Sequence, residues 1–464
     1  MSSAHAPHPP VESEVGGARR KLWQRLPPWL RSPDVIPDVD RVDHSCSELK
    51  GFLHRPSIAL LVAALFCGEV AGQEWTRFRG PNGSGVSTAT GIPTTWNQED
   101  FRWRIPIRGQ SHSQPVVWGP RLFLTSALHE GAERTLLCVR KSDGQELWMR
   151  TFSLPTRRNK NRNSGYANSS PVVDEKRVIA CFVSSDHFWV RSFDHEGQLL
   201  WERDLGPFDS PHGHGASPII YESTVIVVKD QDGESFVFAL DLERGSLVWQ
   251  SSRRPGREAT AYGTPALGRW RDEEPELLLA SRSHGLSSLD PTTGTLNWEA
   301  PIFSARMVAS PIVAGELIIG SCGQGGAGVN FLAAVKRGGK GDVGKTHVAY
   351  TLRTGAPCVP TPVFLEGRLY LISDAGIASA LEAATGRVIW SERLRAEFLS
   401  SPVAINGKIY CASTKGEMIV LASGDEFNLL ARNPLGEGTQ SALCVDGGRL
   451  YVKTFTHLVS IGSQ

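Results

Sequence analysis

Net charge is nearly absent from this 464-residue chain, in which 49 basic residues oppose 48 acidic ones for a formal +1. So small a charge gives no support for general nucleic-acid or membrane-surface binding. Long apolar runs are also missing. The stretch Ile58 to Cys67 falls short of the roughly 20 residues a spanning helix needs. Nothing kinase-like is present, which removes a kinase-attached sensor domain from the possible roles.

The short apolar run has another use. His54-Arg55 precede it, and Val70-Ala71-Gly72 follow it with small residues at the positions a signal peptidase reads. Residues 57–72 are therefore expected to be a secretory signal peptide, cleaved after Gly72. The alternative is an uncleaved anchor. Cys67 is a poor lipidation site, because Phe66 stands where a small residue is wanted. Upstream, the chain is rich in Pro, Arg and Ser without strand pattern. Residues 1–56 are expected to be a disordered extension, or sequence lying largely ahead of a later start codon such as a non-ATG one at Leu49. Export leads to the periplasm or cell envelope, or outside the cell, and leaves membrane association only to the N-terminal segment.

What the chain has in quantity is repetition. A small residue followed by proline recurs at Pro115, Pro171, Pro218, Pro265, Pro311, Pro362 and Pro402, and Ser441-Ala442 keeps the register without its proline. These intervals, between 40 and 56 residues, suit a four-stranded propeller blade of roughly 40–50 residues. Within one unit, Thr361 to Leu365, Leu369 to Ser373, Ile377 to Leu381 and Arg387 to Trp390 read as strands joined by glycine turns.

The unit ends agree. Glycine stands four residues before tryptophan at Gly144/Trp148, Gly197/Trp201, Gly245/Trp249, Gly294/Trp298 and Gly386/Trp390. A turn glycine ahead of an indole on the outermost strand predicts docking of that indole against the adjoining blade. Tyr350 replaces the indole in the fifth unit and Ala431 in the seventh. The eighth unit supplies only three strands, and Arg102 to Ile107, with Trp103, is the spare. The expected fold is all-β: an eight-bladed propeller of four-stranded antiparallel blades over 101–462, closed by an N-terminal strand in the last blade. Residues 73–100 form a leader, and a monomer is expected.

The units resemble the pyrroloquinoline-quinone (PQQ) repeat, whose tail Asp290-Pro291-Thr292-Thr293-Gly294-Thr295-Leu296-Asn297-Trp298 follows best. The segments Glu382 to Trp390 and Asp241 to Trp249 are near matches. Phe78-Arg79-Gly80-Pro81-Asn82-Gly83-Ser84-Gly85 looks like the leader of exported bacterial PQQ-like propellers, as do His212 to Pro218 and Thr346 to Tyr350. The resemblance implies the fold shared by quinoprotein dehydrogenases and BamB-like propellers. It does not carry the cofactor with it.

PQQ-dependent alcohol dehydrogenases typically have adjacent cysteines beside the quinone, oxygen ligands for Ca²⁺ and an Asp base. This chain has no Cys-Cys pair. Its six mature cysteines, Cys138, Cys181, Cys322, Cys358, Cys411 and Cys444, are scattered one per unit and read as small buried residues. The segments ahead of the inner strands bring His112, Tyr166, Asn168, His212, His214, Tyr262, Arg306 and Gln440 toward the central channel, with Glu437 the nearest carboxylate. This is a binding set, with no catalytic, cofactor or metal residue assigned.

Three motifs are read as structure. Gly339 to Thr346 has the letters of a phosphate loop but precedes a strand instead of a helix. Gly323 to Gly328 matches a dinucleotide fingerprint without its βαβ unit. His212-Gly213-His214 lacks a third metal ligand nearby. The basic run Arg157 to Asn163 is read as a solvated loop, with a lid or anionic-partner contact as the sharper option. The favoured function is a non-catalytic exported scaffold that binds a protein or peptide on one rim. The alternative is a divergent PQQ- and Ca²⁺-dependent oxidoreductase.

Overall fold

The computed structural model describes residues 75–154, 164–256, 260–270, 273–324 and 330–462. The expected signal peptide, the extension before it and the basic run at 157–163 lie outside them. Eight antiparallel sheets follow one another in chain order. Blade 1 is built from Val116–Trp118, Arg121–Leu128, Glu133–Arg140 and Glu146–Ser153, from innermost to outermost strand. Blades 2 to 7 repeat this over 172–204, 219–256, 266–300, 312–352, 363–393 and 403–434.

Blade 8 takes its inner three strands from Cys444–Asp446, Arg449–Lys453 and His457–Gly462. Its outermost strand is Phe101–Pro106, antiparallel to the last, with Trp103 opposite Ser460. The two ends of the ring are thus joined by a hydrogen-bonded ladder, which leaves no seam to slip.

Apolar residues fill the spaces between neighbouring blades, because each sheet has two faces to cover and only its neighbours to cover them. All six cysteines in the described residues are free and buried. Burial pushes the Cys138 thiol up to about 12, and raises Cys181 and Cys411 as well.

Tryptophan and glycine of successive units meet as one lock. Trp103 Nε1 donates to Lys141 O, Trp148 to His195 O, Trp201 to Leu242 O and Trp249 to Pro291 O, each acceptor lying in the next blade. Trp390 donates to Gly424 O and Tyr350 Oη to Ala383 O in the same manner. Trp298 differs. Its indole is fully buried and turned onto Glu276 of its own blade, while Trp270 supplies the donor to Gly315 O in blade 5.

Gly144, Gly197, Gly245 and Gly294 each lie over the indole of the preceding blade, and Gly386 lies over Tyr350. At Gly245, with φ +67°, a Cβ would stand 2.4 Å from Trp201 Cε3. Gly245→Ala therefore incurs both left-handed strain and displacement of a docked ring, about 2 kcal/mol or more in total. Gly315→Ala, at φ +65° with open space around it, isolates the backbone part, on the order of 1 kcal/mol. Denaturant midpoints of the two variants should differ in that order; equal losses would remove the indole from the explanation.

Two blades carry a fifth strand. Gly341–Asp342, inside the phosphate-loop letters, pairs in parallel with the outermost strand of blade 4, Gly341 opposite Trp298. The motif is followed by the strand Val348–Leu352, as its sequence context required. In the leader, Val86–Ser87 pairs in parallel with the innermost strand of blade 7.

Candidate functional site

The small-residue-plus-proline register has a structural use at the axis. In blades 1 to 6 the residue ahead of the innermost strand donates its N–H to the side-chain oxygen of its counterpart in the next blade. The chain of bonds runs Gln114 to Ser170, Ser170 to Ser217, Ser217 to Thr264, Thr264 to Ser310, Ser310 to Thr361 and Thr361 to Ser401, all at 2.8–3.0 Å. The following proline has no N–H to leave unpaired beside the axis. At the closure Ser400 donates to Ser441 O and Ser441 to Ser113 O.

The leader threads this ring. Val117 N–H donates to Trp75 O and Val173 N–H to Thr76 O, so the segment enters across blades 1 and 2. Arg77 Nη2 donates to Pro265 O, and Asn82 pairs with both backbone groups of Leu267 in blade 4. Arg79, fully buried, donates to Pro402 O at 2.9 Å, Pro362 O at 2.8 Å, and Gly83 O and Ser84 O at 3.2 Å. Its own N–H donates to Gln114 Oε1. Gly80, at φ +66°, lies so close to Trp75 that a Cβ would meet the indole at 2.5 Å. Burial holds both guanidinium groups down to about 9, still protonated at neutral pH.

Beside Phe78 of this plug is a cavity of about 330 Å³, to which all eight inter-blade connections contribute. Six of the residues expected near the channel line it: His112, Asn168, His212, Tyr262, Arg306 and Gln440. Arg306 Nη1 donates to His212 Nε2 at 2.6 Å. A guanidinium is always the donor, so the His212 proton sits on Nδ1 and is donated to Ser164 Oγ, 2.8 Å away. Burial and the Arg306 charge both lower the His212 pKa, which keeps the ring neutral. Asn168 Oδ1 accepts from Gly165 N–H, and Tyr262 Oη lies 3.3 Å from Ser210 Oγ.

Two expected residues sit elsewhere. Tyr166 packs under Gly131 with Arg134 over its ring, and borders a separate cleft beside His129 and Glu130 in blade 1. His214 is turned away from the axis and wedged edge-on between Phe188 and Phe208, with Nε2 donating to Val228 O. The two histidines of His212-Gly213-His214 thus face different surroundings and cannot share an ion.

Burial holds the His214 pKa down to about 4 from its ordinary 6.5. Between those values the unfolded chain binds a proton that the folded protein refuses, so stability falls as pH falls through the window. From pH 7.5 to pH 5 the expected loss from this group is about 2 kcal/mol. Urea unfolding at the two pH values checks it: His214→Gln should lose less on acidification than the parent protein, and equal losses would contradict the assignment.

Asp374 is the residue the sequence reading missed. It is the one acid among the described lining residues, and it comes from the turn between the second and third strands of blade 6. Its oxygens accept the Cys358 and Val359 N–H groups at 2.7 and 3.2 Å, and burial raises its pKa. Glu437, the acid expected nearest, is held by Thr454 and Thr456. A Ca²⁺–quinone pair needs several hard oxygen ligands and a free carboxylate base. A lone Asp whose oxygens hold a loop does not fit that requirement, nor do single cysteines in separate blades.

Ring, plug and cavity together define an eight-bladed propeller of the PQQ-repeat class. The chain belongs to the family whose model is described as outer membrane protein assembly factor BamB, which matches residues 84–327 and 333–454. An outer membrane protein assembly factor BamB of Moranella endobia is 23% identical over 298 residues, 60% of this chain and 68% of that one. The chain spans between 38% and 68% of the length of the curated relatives it matches. Among solved structures, BamB from Moraxella catarrhalis superposes with a TM-score of 0.53 at 16% identity, over 81% of this chain and 98% of that one. A europium-containing methanol dehydrogenase gives 0.61 at 11% identity, over 82% and 89%. At these identities the superpositions speak for the fold alone.

Proposed function

We propose that this protein is an exported, non-catalytic scaffold that works in the cell envelope as a monomer and receives an extended segment of a protein partner on its cavity-bearing face. The observation that carries this reading is the cavity itself. It is closed beneath by the protein's own leader and walled by every inter-blade connection, with polar groups beside half-exposed Val308, Val359 and Leu399. Such a mixture suits a peptide better than a reaction centre. The fold also accepts extended segments at sheet edges, since Gly341–Asp342 and Val86–Ser87 add to blades 4 and 7 in this way. The relatives' description as assembly factors agrees with a protein partner.

Capture from envelope fractions tests the reading. Leu399→Arg, which fills the cavity mouth, should abolish retention of the partner, and Val388→Arg, on an outermost strand, should not. Retention unchanged by Leu399→Arg would overturn the proposal. The oxidoreductase alternative predicts a bound-quinone spectrum and dye-linked alcohol oxidation on adding PQQ and Ca²⁺. The scaffold reading predicts neither.

A further inference from the structure

We propose that the axial cavity binds the carboxylate of a small apolar acid, with Arg306 as the counter-charge. The inference rests on the cavity face being the binding surface and goes further, naming the chemistry of what enters.

Arg306 and Asp374 are the two charged groups of the cavity lining, and they do not pair with each other. Arg306 is half-buried, and no described carboxylate lies within ion-pair distance of it. Among the described residues its side-chain hydrogen-bond partner is the neutral His212 ring, bound through Nη1. A guanidinium presents a planar fork that matches a carboxylate with two parallel bonds, and here one arm of the fork remains to be used. Asp374 makes no ion pair with Arg306; its oxygens are turned to the Cys358 and Val359 amides.

The neighbours of Arg306 reinforce the preference. His212 gives its proton to Ser164, which leaves the Ser164 hydroxyl hydrogen to be donated onward. The Tyr262 hydroxyl directs its own proton to Ser210 Oγ, 3.3 Å away, because Ser210 donates to Gly213 O. The unused arm of Arg306 and the Ser164 hydroxyl, held on either side of the His212 ring, both offer protons to an incoming oxygen. Val308, Val359, Leu399 and Phe78 supply apolar wall for the rest of the ligand. A volume of about 330 Å³ lies at the small end of ligand pockets and suits an acid carrying one ring or a branched chain.

A free organic acid and the C-terminal residue of a polypeptide offer the same chemistry. Calorimetric titration of the full protein with phenylacetate and with N-acetylphenylalanine separates the sources, and the corresponding amides serve as uncharged partners. At least one acid is expected to bind about tenfold or more tightly than its amide, and Arg306→Gln should remove that advantage. Binding of phenylacetate alone assigns a free acid; binding of N-acetylphenylalanine alone assigns a chain end. Amides that bind as well as acids, an acid preference that survives in Arg306→Gln, or no binding by either acid would overturn the inference. The acid–amide comparison on the unaltered protein needs no variant to fold. It also reads independently of partner capture, so either can fail without the other.

Discussion

Replacing Arg79 by methionine is expected to lower unfolding free energy by about 3 kcal/mol or more. Two terms oppose each other. Burying a guanidinium without a carboxylate is costly, as its lowered pKa shows, and a methionine would recover that cost. Against this, the substitution strips donors from the buried carbonyls of Gly83, Pro362 and Pro402 and from the partly buried carbonyl of Ser84. Each orphaned buried acceptor costs about 1–3 kcal/mol, so the three buried ones together exceed the recovered desolvation. Arg79→Lys keeps the charge but reaches fewer acceptors, and should fall between. Denaturant unfolding of the three proteins checks the order. A methionine variant as stable as the parent would mean that the leader rests in the axis without holding it.

Trp298→Ala should cost about 3–5 kcal/mol, in the range for emptying a large buried site. The indole has no exposure and packs with the blade 4 and blade 5 residues Leu278, Ile318 and Val335. Its removal also strips Glu276 of a donor. Trp390→Ala removes the same side chain from a half-exposed position and should cost less, about 2 kcal/mol. Midpoints and slopes of urea unfolding separate the two. Equal losses would show that the Trp298 site collapses around the deletion.

The ring was legible because its signals are local and repeated. A proline register and a Gly–Trp spacing recur in the sequence itself, and each copy checks the others. The lock between Trp201 and Gly245 could be foreseen in kind, since a turn glycine and an outer-strand indole have few other uses. The plug was not legible in its contacts. Arg79 meets Pro362 and Pro402, 283 and 323 residues away, through their carbonyls, and a backbone acceptor leaves no trace in residue identity.

The cavity was partly legible for the same reason. Residues just ahead of inner strands point to the axis by topology, which brought His112, His212, Tyr262 and Arg306 forward together. The rule fails within connections that also supply the lining residues Ser164, Asn168, His212 and Gly215. Tyr166 and His214 lie in such stretches, and each is claimed by an aromatic or cationic neighbour off the axis. Asp374 escaped notice because it belongs to a strand-to-strand turn inside a blade, a place the rule does not search.

Photo-cross-linking in the intact envelope tests most directly whether the plugged propeller is a receiver for another chain. A photoreactive residue at Gln440 reports from the cavity wall, and one at Glu366 from a turn at the opposite strand end of blade 6. A discrete protein adduct from position 440 and none from 366 is the predicted result. Adducts from 366 alone, or none from 440 while the protein remains folded, would contradict it.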